Sequence, residues 1–118
     1  MSVKQFEDLI AWQKAQDLAV EIYKHFLQNK DFGYRNQICE AVVSISNNIA
    51  EGFDRSSNAD FSRFLYISLG SCSEVKSMLY LGNRLDYISI EVKDKLINDS
   101  NEVSKIIRGL IKSLYKKN

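Results

Sequence analysis

The sequence SISNNIAEG at residues 44–52 has the residue spacing of an α-helix but an unusual number of small and polar side chains. Asn and Ser lower helix propensity, and Gly lowers it by about 1 kcal/mol relative to Ala, so their presence indicates a packing or functional requirement. A polar stripe follows one side of this predicted helix at intervals of 4, 3 and 4 residues: Ser44, Asn48, Glu51 and Arg55. An apolar stripe lies beside it: Ile38, Ala41, Val42, Ile45, Ile49 and Gly52. We therefore interpret this segment as a helix that is half core and half polar contact.

Helical periodicity recurs on both sides of this segment and predicts four helices along the 118-residue chain. Their approximate ranges are residues 9–29, 34–54, 59–87 and 90–115. Asp8, Ser57 and Ser89 are the expected N-cap residues of the first, third and fourth helices. No segment alternates with a period of two, and proline is absent, so long helices with short connections are favoured over strands. The predicted fold is therefore all-α: a single-domain, antiparallel up-down four-helix bundle spanning residues 1–118.

The third predicted helix has more apolar surface than one core stripe requires. Apolar residues lie on both flanks of its core stripe: Tyr66, Leu69 and Tyr80 on one, and Ile67, Met78, Leu81 and Leu85 on the other. A helix that is apolar on nearly all sides is usually buried on more than one side. We therefore expect copies of the chain to associate as a symmetric homo-oligomer, because large apolar patches are rare on monomers. The alternative is that these side chains lie along the edges of a monomeric bundle.

The composition, with 45% hydrophobic and 26% charged residues, is typical of a soluble globular protein. No signal peptide and no apolar run of 18 residues are apparent, so we expect a cytoplasmic protein without membrane contact. Cys39 and Cys72 fall at core positions of predicted helices, which favours buried, reduced thiols. A disulfide between them is the less favoured alternative.

Side chains suited to catalysis or metal binding are scarce. His25 is the only histidine, and the sequence contains no Glu-x-x-His motif and no glycine-rich phosphate loop. Glu51 and Glu74 could face each other across two helices, but two carboxylates without imidazole support form a weak metal site. We therefore predict a non-enzymatic protein without catalytic residues, cofactor or metal.

The polar residues of the second and third helices are instead predicted to form one structural network. Its expected role is to fix the register of the two helices and not to do chemistry. The predicted members are Asn48, Glu51, Arg55, Ser71 and Glu74. If a buried partner loses its hydrogen bond, Glu51→Ala should destabilise the fold by about 1–3 kcal/mol.

Positive charge is concentrated at the end of the chain. Residues 103–118 contain five basic and no acidic side chains, whereas the first 102 residues contain 11 basic and 15 acidic ones. Four of the basic residues follow one face of the fourth helix at intervals of 3, 4 and 4: Lys105, Arg108, Lys112 and Lys116. Such a stripe could contact RNA or DNA phosphates, and the alternative is a solvated face whose cations favour a helix C-terminus. No aromatic residue interrupts that face to stack on bases, which weakens the case for single-strand binding.

Three groups of residues occur in order along residues 6–88. The first is Phe6-Glu7-Asp8-Leu9 followed by Trp12-Gln13-Lys14-Ala15. The second is Ser44-Ile45 and Asn48-Ile49-Ala50-Glu51-Gly52, followed by Arg55, and the third is Phe64-Leu65, then Gly70-Ser71 and Glu74. Together they resemble the four-helix-bundle proteins that are encoded in intervening sequences of bacterial 23S ribosomal RNA genes. The fourth helix is similar to that family only in character.

This resemblance implies an all-α antiparallel bundle that assembles as a homopentamer, without an established biochemical activity. A related group comprises accessory proteins of diversity-generating retroelements, which are basic pentamers that bind nucleic acid and a reverse transcriptase. The resemblance therefore favours an oligomeric scaffold that engages RNA or a protein partner. The alternative is a nucleic-acid-binding accessory protein that acts with a reverse transcriptase through the basic face of the fourth helix.

Two departures from the family pattern lie in the second helix. Family members often have two arginines after Gln-Ile, whereas Gln37-Ile38 is followed here by Cys39-Glu40. This difference weakens the expectation that the second helix binds nucleic acid. Ser46 replaces the usual proline, so we expect the second helix to continue without a kink.

Overall fold

Four α-helices follow one another in the computed structural model, which describes residues 3–115. The helices are α1 (Ile10–Phe26), α2 (Phe32–Phe53), α3 (Asn58–Arg84) and α4 (Ile90–Leu114), and a short 3-10 turn, Phe6–Asp8, precedes α1. The described residues contain no strand, and α2 runs through Ser46 without interruption. The predictions of an all-α four-helix fold and of a continuous second helix are therefore confirmed. Within residues 3–115, no helix is both long enough and apolar enough to cross a membrane.

Hydrogen-bonding side chains mark the start of three helices. Ser57 accepts a hydrogen bond from the Asp60 amide at 3.1 Å, and Ser89 accepts one from the Val92 amide at 3.1 Å, as the sequence predicted. Helix α2 begins at Phe32, two residues earlier than expected, because the carboxylate of Asp31 accepts a hydrogen bond from the backbone of the new helix.

The predicted cap of α1 is wrong. Asp8 belongs to the 3-10 turn, and Leu9 precedes the helix without any side-chain capping bond. Leu9 is buried, and its extended backbone separates the turn from α1. Burial of this leucine thus sets where α1 begins, and a local capping motif does not.

Side-chain contacts between the helices establish an antiparallel up-down order. Gln16 in the first half of α1 bonds to Ser46 in the second half of α2, and Asn58 at the start of α3 bonds to Leu114 at the end of α4. Within the described residues, backbone contacts between α-helices occur only between neighbours in sequence and between α1 and α4. The four helices therefore surround one core, in a molecule with extents of 49 × 22 × 20 Å.

The core is built by the apolar stripes of all four helices. Its largest fully buried side chains are Leu18, Ile22, Phe26, Ile38, Val42, Ile45, Ile49, Leu65, Val75, Leu79, Leu96 and Ile107. Cys39 and Cys72 are free, buried thiols, and burial raises the pKa of each. The backbone carbonyl of Cys72 accepts a hydrogen bond from the Ser100 hydroxyl of α4 at 3.4 Å.

Helices α2 and α3 approach closely at both ends of their interface. A Cβ atom added to Gly52 would lie 2.6 Å from Cβ of Phe64, and one added to Gly82 would collide with the hydroxyl of Tyr34. That hydroxyl donates a hydrogen bond to the Met78 carbonyl at 2.5 Å. Between these ends, the buried hydroxyl of Ser68 donates to the Ile45 carbonyl at 2.9 Å. The small residues singled out in the sequence therefore allow close packing of two helix backbones.

Candidate interaction faces

The polar residues predicted to form one network lie in three separate places. At the centre, the amide of Asn48 donates to the carbonyl and hydroxyl oxygens of Ser44 at 2.8 and 2.9 Å. The hydroxyl of Ser71 donates to the Ser44 hydroxyl at 3.0 Å, so Ser44 connects Asn48 of α2 to α3. Ser44 belongs to the polar stripe, but the sequence alone did not identify it as the link.

The second place is an exposed cluster of charges near the end of α2. Arg55 lies 3.4 Å from Glu51 and 3.8 Å from Asp60, and its guanidinium group stacks over the ring of Phe64 at 4.7 Å. Because Glu51 and Arg55 are both exposed, their ion pair contributes little to stability.

Glu74 lies in the third place, near the other end of α2. It accepts a hydrogen bond from the exposed amide of Gln37 at 3.4 Å. Gln37 is fourteen residues from Glu51, or about 21 Å along the helix, so Glu51 and Glu74 do not face each other. Among residues 3–115, no three His, Cys, Asp or Glu side chains are grouped so that they could hold a metal ion.

An apolar groove of about 400 Å³ runs between the outer sides of α1 and α2. Its lining includes Val20 and Tyr23 of α1, Leu27 directly after α1 and Val43 of α2, and the exposed Phe32 is the first residue of α2. We call these five residues the α1–α2 face. Four of them are exposed, from 39% for Tyr23 to 59% for Phe32, and Val43 is partly buried. Sequence analysis did not distinguish this face, although the spacing of 20, 23 and 27 is helical.

The outer surface of α3 has two flanks. Ile67, Glu74 and Leu81 are seven residues apart and share one side of the helix, which adjoins α2 because Glu74 bonds to Gln37. Ile67, Leu81 and the neighbouring Leu85 are 42–46% exposed, and we call these three residues the α3 flank. No atom lies within 4 Å of a Cβ added to Gly70, so the space beside this flank is open.

Two apolar residues of α3 that were expected to need a second interface are already covered within the protomer. Leu69 is 9% exposed and Met78 is 8% exposed. The backbone carbonyl of Met78 faces Tyr34 of α2, and the apolar surface of both side chains contributes to the core. The excess apolar surface of α3 is therefore smaller than the sequence indicated.

The other side of α3 meets the basic part of α4, and we call the surface they share the α3–α4 face. Tyr66 and Tyr80 are fourteen residues apart, which is twice seven, so they lie on nearly the same side of α3. Tyr80 adjoins α4, because the Lys93 ammonium lies 5.2 Å from the centre of its ring. Their side chains are 61% and 49% exposed. The contacts of Cys72 with Ser100 and of Asn58 with Leu114 set a register that places Tyr66 level with residues 105–108.

The predicted basic stripe lies on this α3–α4 face. Lys105, Arg108 and Lys112 are exposed, and none of them forms an ion pair with another described residue. Lys116 lies outside the described residues. No aromatic residue interrupts the stripe on α4 itself, and on α3 the exposed ring of Tyr66 is level with Lys105 and Arg108. The sequence argument considered α4 alone and therefore could not include Tyr66.

The opposite side of α4 forms a charge-balanced surface with α1. Lys14 of α1 pairs with Glu102 at 3.9 Å, and Lys95 pairs with Asp99 at 2.9 Å. The hydrogen bond and negative charge of Asp99 raise the pKa of Lys95. We call this surface the α1–α4 face. Positive and negative side chains alternate across it, in contrast to the basic part of the α3–α4 face.

At one end of the bundle, α2 is tied to the connection between α3 and α4. The hydroxyl of Tyr87 donates to the carboxylate of Asp31 at 2.6 Å. This bond lowers the pKa of Asp31 and raises that of Tyr87. Asp31 thus caps α2 with one carboxylate oxygen and holds the connection with the other.

Comparison with known proteins places these features in a family context. Residues 7–109 match the family described as 23S rRNA-intervening sequence protein. The fold is similar to the crystal structure of a protein with unknown function from the S23 ribosomal protein family of Bacteroides thetaiotaomicron, with a TM-score of 0.81 and 34% sequence identity. That similarity covers 87% of this chain and 99% of the other chain. Among curated proteins, none matches the sequence.

Proposed function

The chain belongs to the 23S rRNA-intervening sequence protein family, and from this premise we propose that it is a non-enzymatic scaffold built from several copies of itself. The observation that supports this role is the presence of two separate apolar surfaces on one protomer, the α1–α2 face and the α3 flank. A contact between two different surfaces is repeated head to tail from copy to copy, and it closes into a ring if the rotation permits.

The two surfaces are complementary in form. The α1–α2 face is a groove, whereas Ile67, Leu81 and Leu85 project from one helix beside the open space at Gly70. Burial of large apolar side chains is the main favourable term in most protein associations. In our proposal, the α3 flank of one copy enters the α1–α2 groove of the next. The family resemblance favours five copies.

Mass measurement of matched variants tests this arrangement. The wild-type chain should sediment as a multiple of its 13.6 kDa mass, near five times that value for a pentamer. Val20→Glu should abolish association by placing a charge in the groove, and Leu81→Glu should do so by charging the α3 flank. Ile10→Glu, which changes an exposed apolar residue outside both surfaces, serves as the control.

The head-to-tail geometry gives a sharper result when the two variants are mixed. Each protomer then has one intact surface, so Val20→Glu and Leu81→Glu chains should form a one-to-one dimer and nothing larger. A wild-type chain that remains at 13.6 kDa would contradict the scaffold. A mixture that stays monomeric would contradict the pairing of these two surfaces.

A further inference from the structure

The basic part of the α3–α4 face has no acidic residue to neutralise it. All four acidic residues of α4 lie at or before Glu102, and those of α3 are Asp60, which pairs with Arg55 and Arg63, and Glu74, on the α2 side. Lys105, Arg108 and Lys112 therefore extend into solvent without a carboxylate partner among the described residues. Unneutralised lysine and arginine side chains along one face are the electrostatic footprint of a phosphate-binding surface.

The α3 part of the same face carries exposed aromatic rings. Tyr66 lies level with Lys105 and Arg108, and its side chain is 61% exposed, although large aromatic side chains normally gain by burial. Tyr80 lies fourteen residues further along α3, about 21 Å away, and has Lys93 against its ring. Tyr66 and the cations level with it match the two chemical parts of a polynucleotide, its bases and its phosphates, and Tyr80 offers a second ring further along, level with the start of α4.

We propose that the α3–α4 face binds single-stranded polynucleotide, with Lys105, Arg108 and Lys112 on the phosphates and Tyr66 and Tyr80 stacked on bases. Every base has a π face, so stacking on tyrosine tolerates any sequence. In a duplex the bases are already stacked on each other, so Tyr66 and Tyr80 favour a single strand. Tyr66 is the residue that separates this proposal from simple attraction between unlike charges.

This binding surface is separate from those proposed for self-association. Tyr66 and Tyr80 lie on the α4 side of α3, whereas Ile67 and Leu81 lie on its α2 side. Nucleic-acid binding and association can therefore fail independently. Val20→Glu, which is designed to produce monomers, should still bind nucleic acid through the α3–α4 face, although with fewer contacts per particle.

Fluorescence anisotropy of the full chain with a labelled oligouridylate of about ten nucleotides tests the proposal. Tyr66→Ala should weaken binding by about 5- to 100-fold, and Tyr66→Phe should retain the wild-type affinity because the ring is kept. Lys105→Gln and Arg108→Gln should each lower the slope of log affinity against log salt by about 0.7. Oligothymidylate of the same length should bind if stacking and charge suffice, and failure of DNA alone would assign recognition to the ribose hydroxyl.

Controls on the other surfaces make the result specific. Tyr23→Ala removes an exposed ring from the α1–α2 face, and Lys14→Gln removes a cation from the α1–α4 face. Both should leave the affinity of monomeric Val20→Glu protein within about twofold, because those surfaces lack the combination of rings and free cations. Circular dichroism should give the same helix content for all variants, since Tyr66 is mostly exposed.

Several outcomes would overturn the proposal. These are an absence of oligouridylate binding at low salt, equal or tighter binding of a duplex, and equal affinities for Tyr66→Ala and wild type. A Tyr66→Ala variant that changes in particle mass but not in affinity would assign this face to a second copy of the chain. An affinity loss in Tyr23→Ala as large as in Tyr66→Ala would move the binding surface elsewhere.

Discussion

The α2–α3 and α1–α4 interfaces hold the same bundle together by different means. Helices α2 and α3 meet through glycines, buried serine hydroxyls and the Tyr34 hydroxyl, so their contact is close and mostly buried. Helices α1 and α4 have a more limited backbone contact, and their outer edge carries exposed ion pairs such as Lys14 with Glu102. Close packing therefore defines the α2–α3 interface, and exposed charges border the α1–α4 interface. The stability of the first should depend on atomic fit, and that of the second on ionic conditions.

A methyl group at Gly82 should break the first interface. Gly82→Ala places Cβ against the Tyr34 hydroxyl, and such overpacking should cost about 1–3 kcal/mol of unfolding free energy. Gly70→Ala is the matched control in the same helix: its Cβ meets no atom within 4 Å, so it should stabilise by up to about 1 kcal/mol. Urea unfolding followed by circular dichroism measures both. Equal stabilities of the two variants would contradict the close approach.

Removing the Tyr34 hydroxyl should have a smaller effect. Tyr34→Phe loses the hydrogen bond to the Met78 carbonyl and should destabilise the fold by about 1 kcal/mol. The same change removes the atom that Cβ of Gly82→Ala would strike. In a double-mutant cycle, Tyr34→Phe should therefore reduce the cost of Gly82→Ala. Strictly additive costs would place the clash elsewhere.

Replacing Glu51 should affect stability by less than about 0.5 kcal/mol, because its partner Arg55 is exposed and also contacts Asp60 and Phe64. This is below the 1–3 kcal/mol expected for a buried network. Chemical unfolding of Glu51→Ala beside Ser44→Ala would sharpen the distinction. Ser44 accepts bonds from both Asn48 and Ser71, so its loss should cost more. If Glu51→Ala lowered the unfolding free energy more than Ser44→Ala does, the predicted network would be supported instead.

The smallest effect is expected at the α1–α4 interface. A double-mutant cycle with Lys14→Gln and Glu102→Gln should give a coupling energy of at most about 0.5 kcal/mol, since both side chains are about half exposed. At 1 M salt the screening length falls to about 3 Å, so the coupling should vanish. The Gly82→Ala effect should persist at that salt concentration. A coupling energy between Lys14 and Glu102 that does not change with salt would contradict the difference between the two interfaces.

The features that depend on local sequence were predictable. Ser57 and Ser89 cap their helices because a cap needs only a backbone amide three residues away. The α2 core stripe was equally visible, since helical spacing alone defines it. The start of α1 was predicted to within one residue, but its predicted cap, Asp8, was wrong because the buried Leu9 stands at that position without a side-chain bond.

Features that need the register between helices were not predictable. Ser44 became a link only when α3 placed Ser71 beside it. Tyr66 could not be assigned to the basic stripe from sequence, because the two lie on different helices and about forty residues separate them. Helical periodicity likewise placed Leu69 and Met78 on the flanks of the α3 core stripe. It could not show that the neighbouring helices bury both side chains.

The division of charge along α4 has a geometric consequence for any closed ring of this chain. Cyclic symmetry keeps every copy the same way up, so in a ring whose axis runs along the bundles the basic ends of all α4 helices would lie towards one rim and the acidic beginnings towards the other. Such a ring has two unlike poles. A polyanion approaching along its axis would meet a favourable potential on one side only, which gives the particle a front and a back.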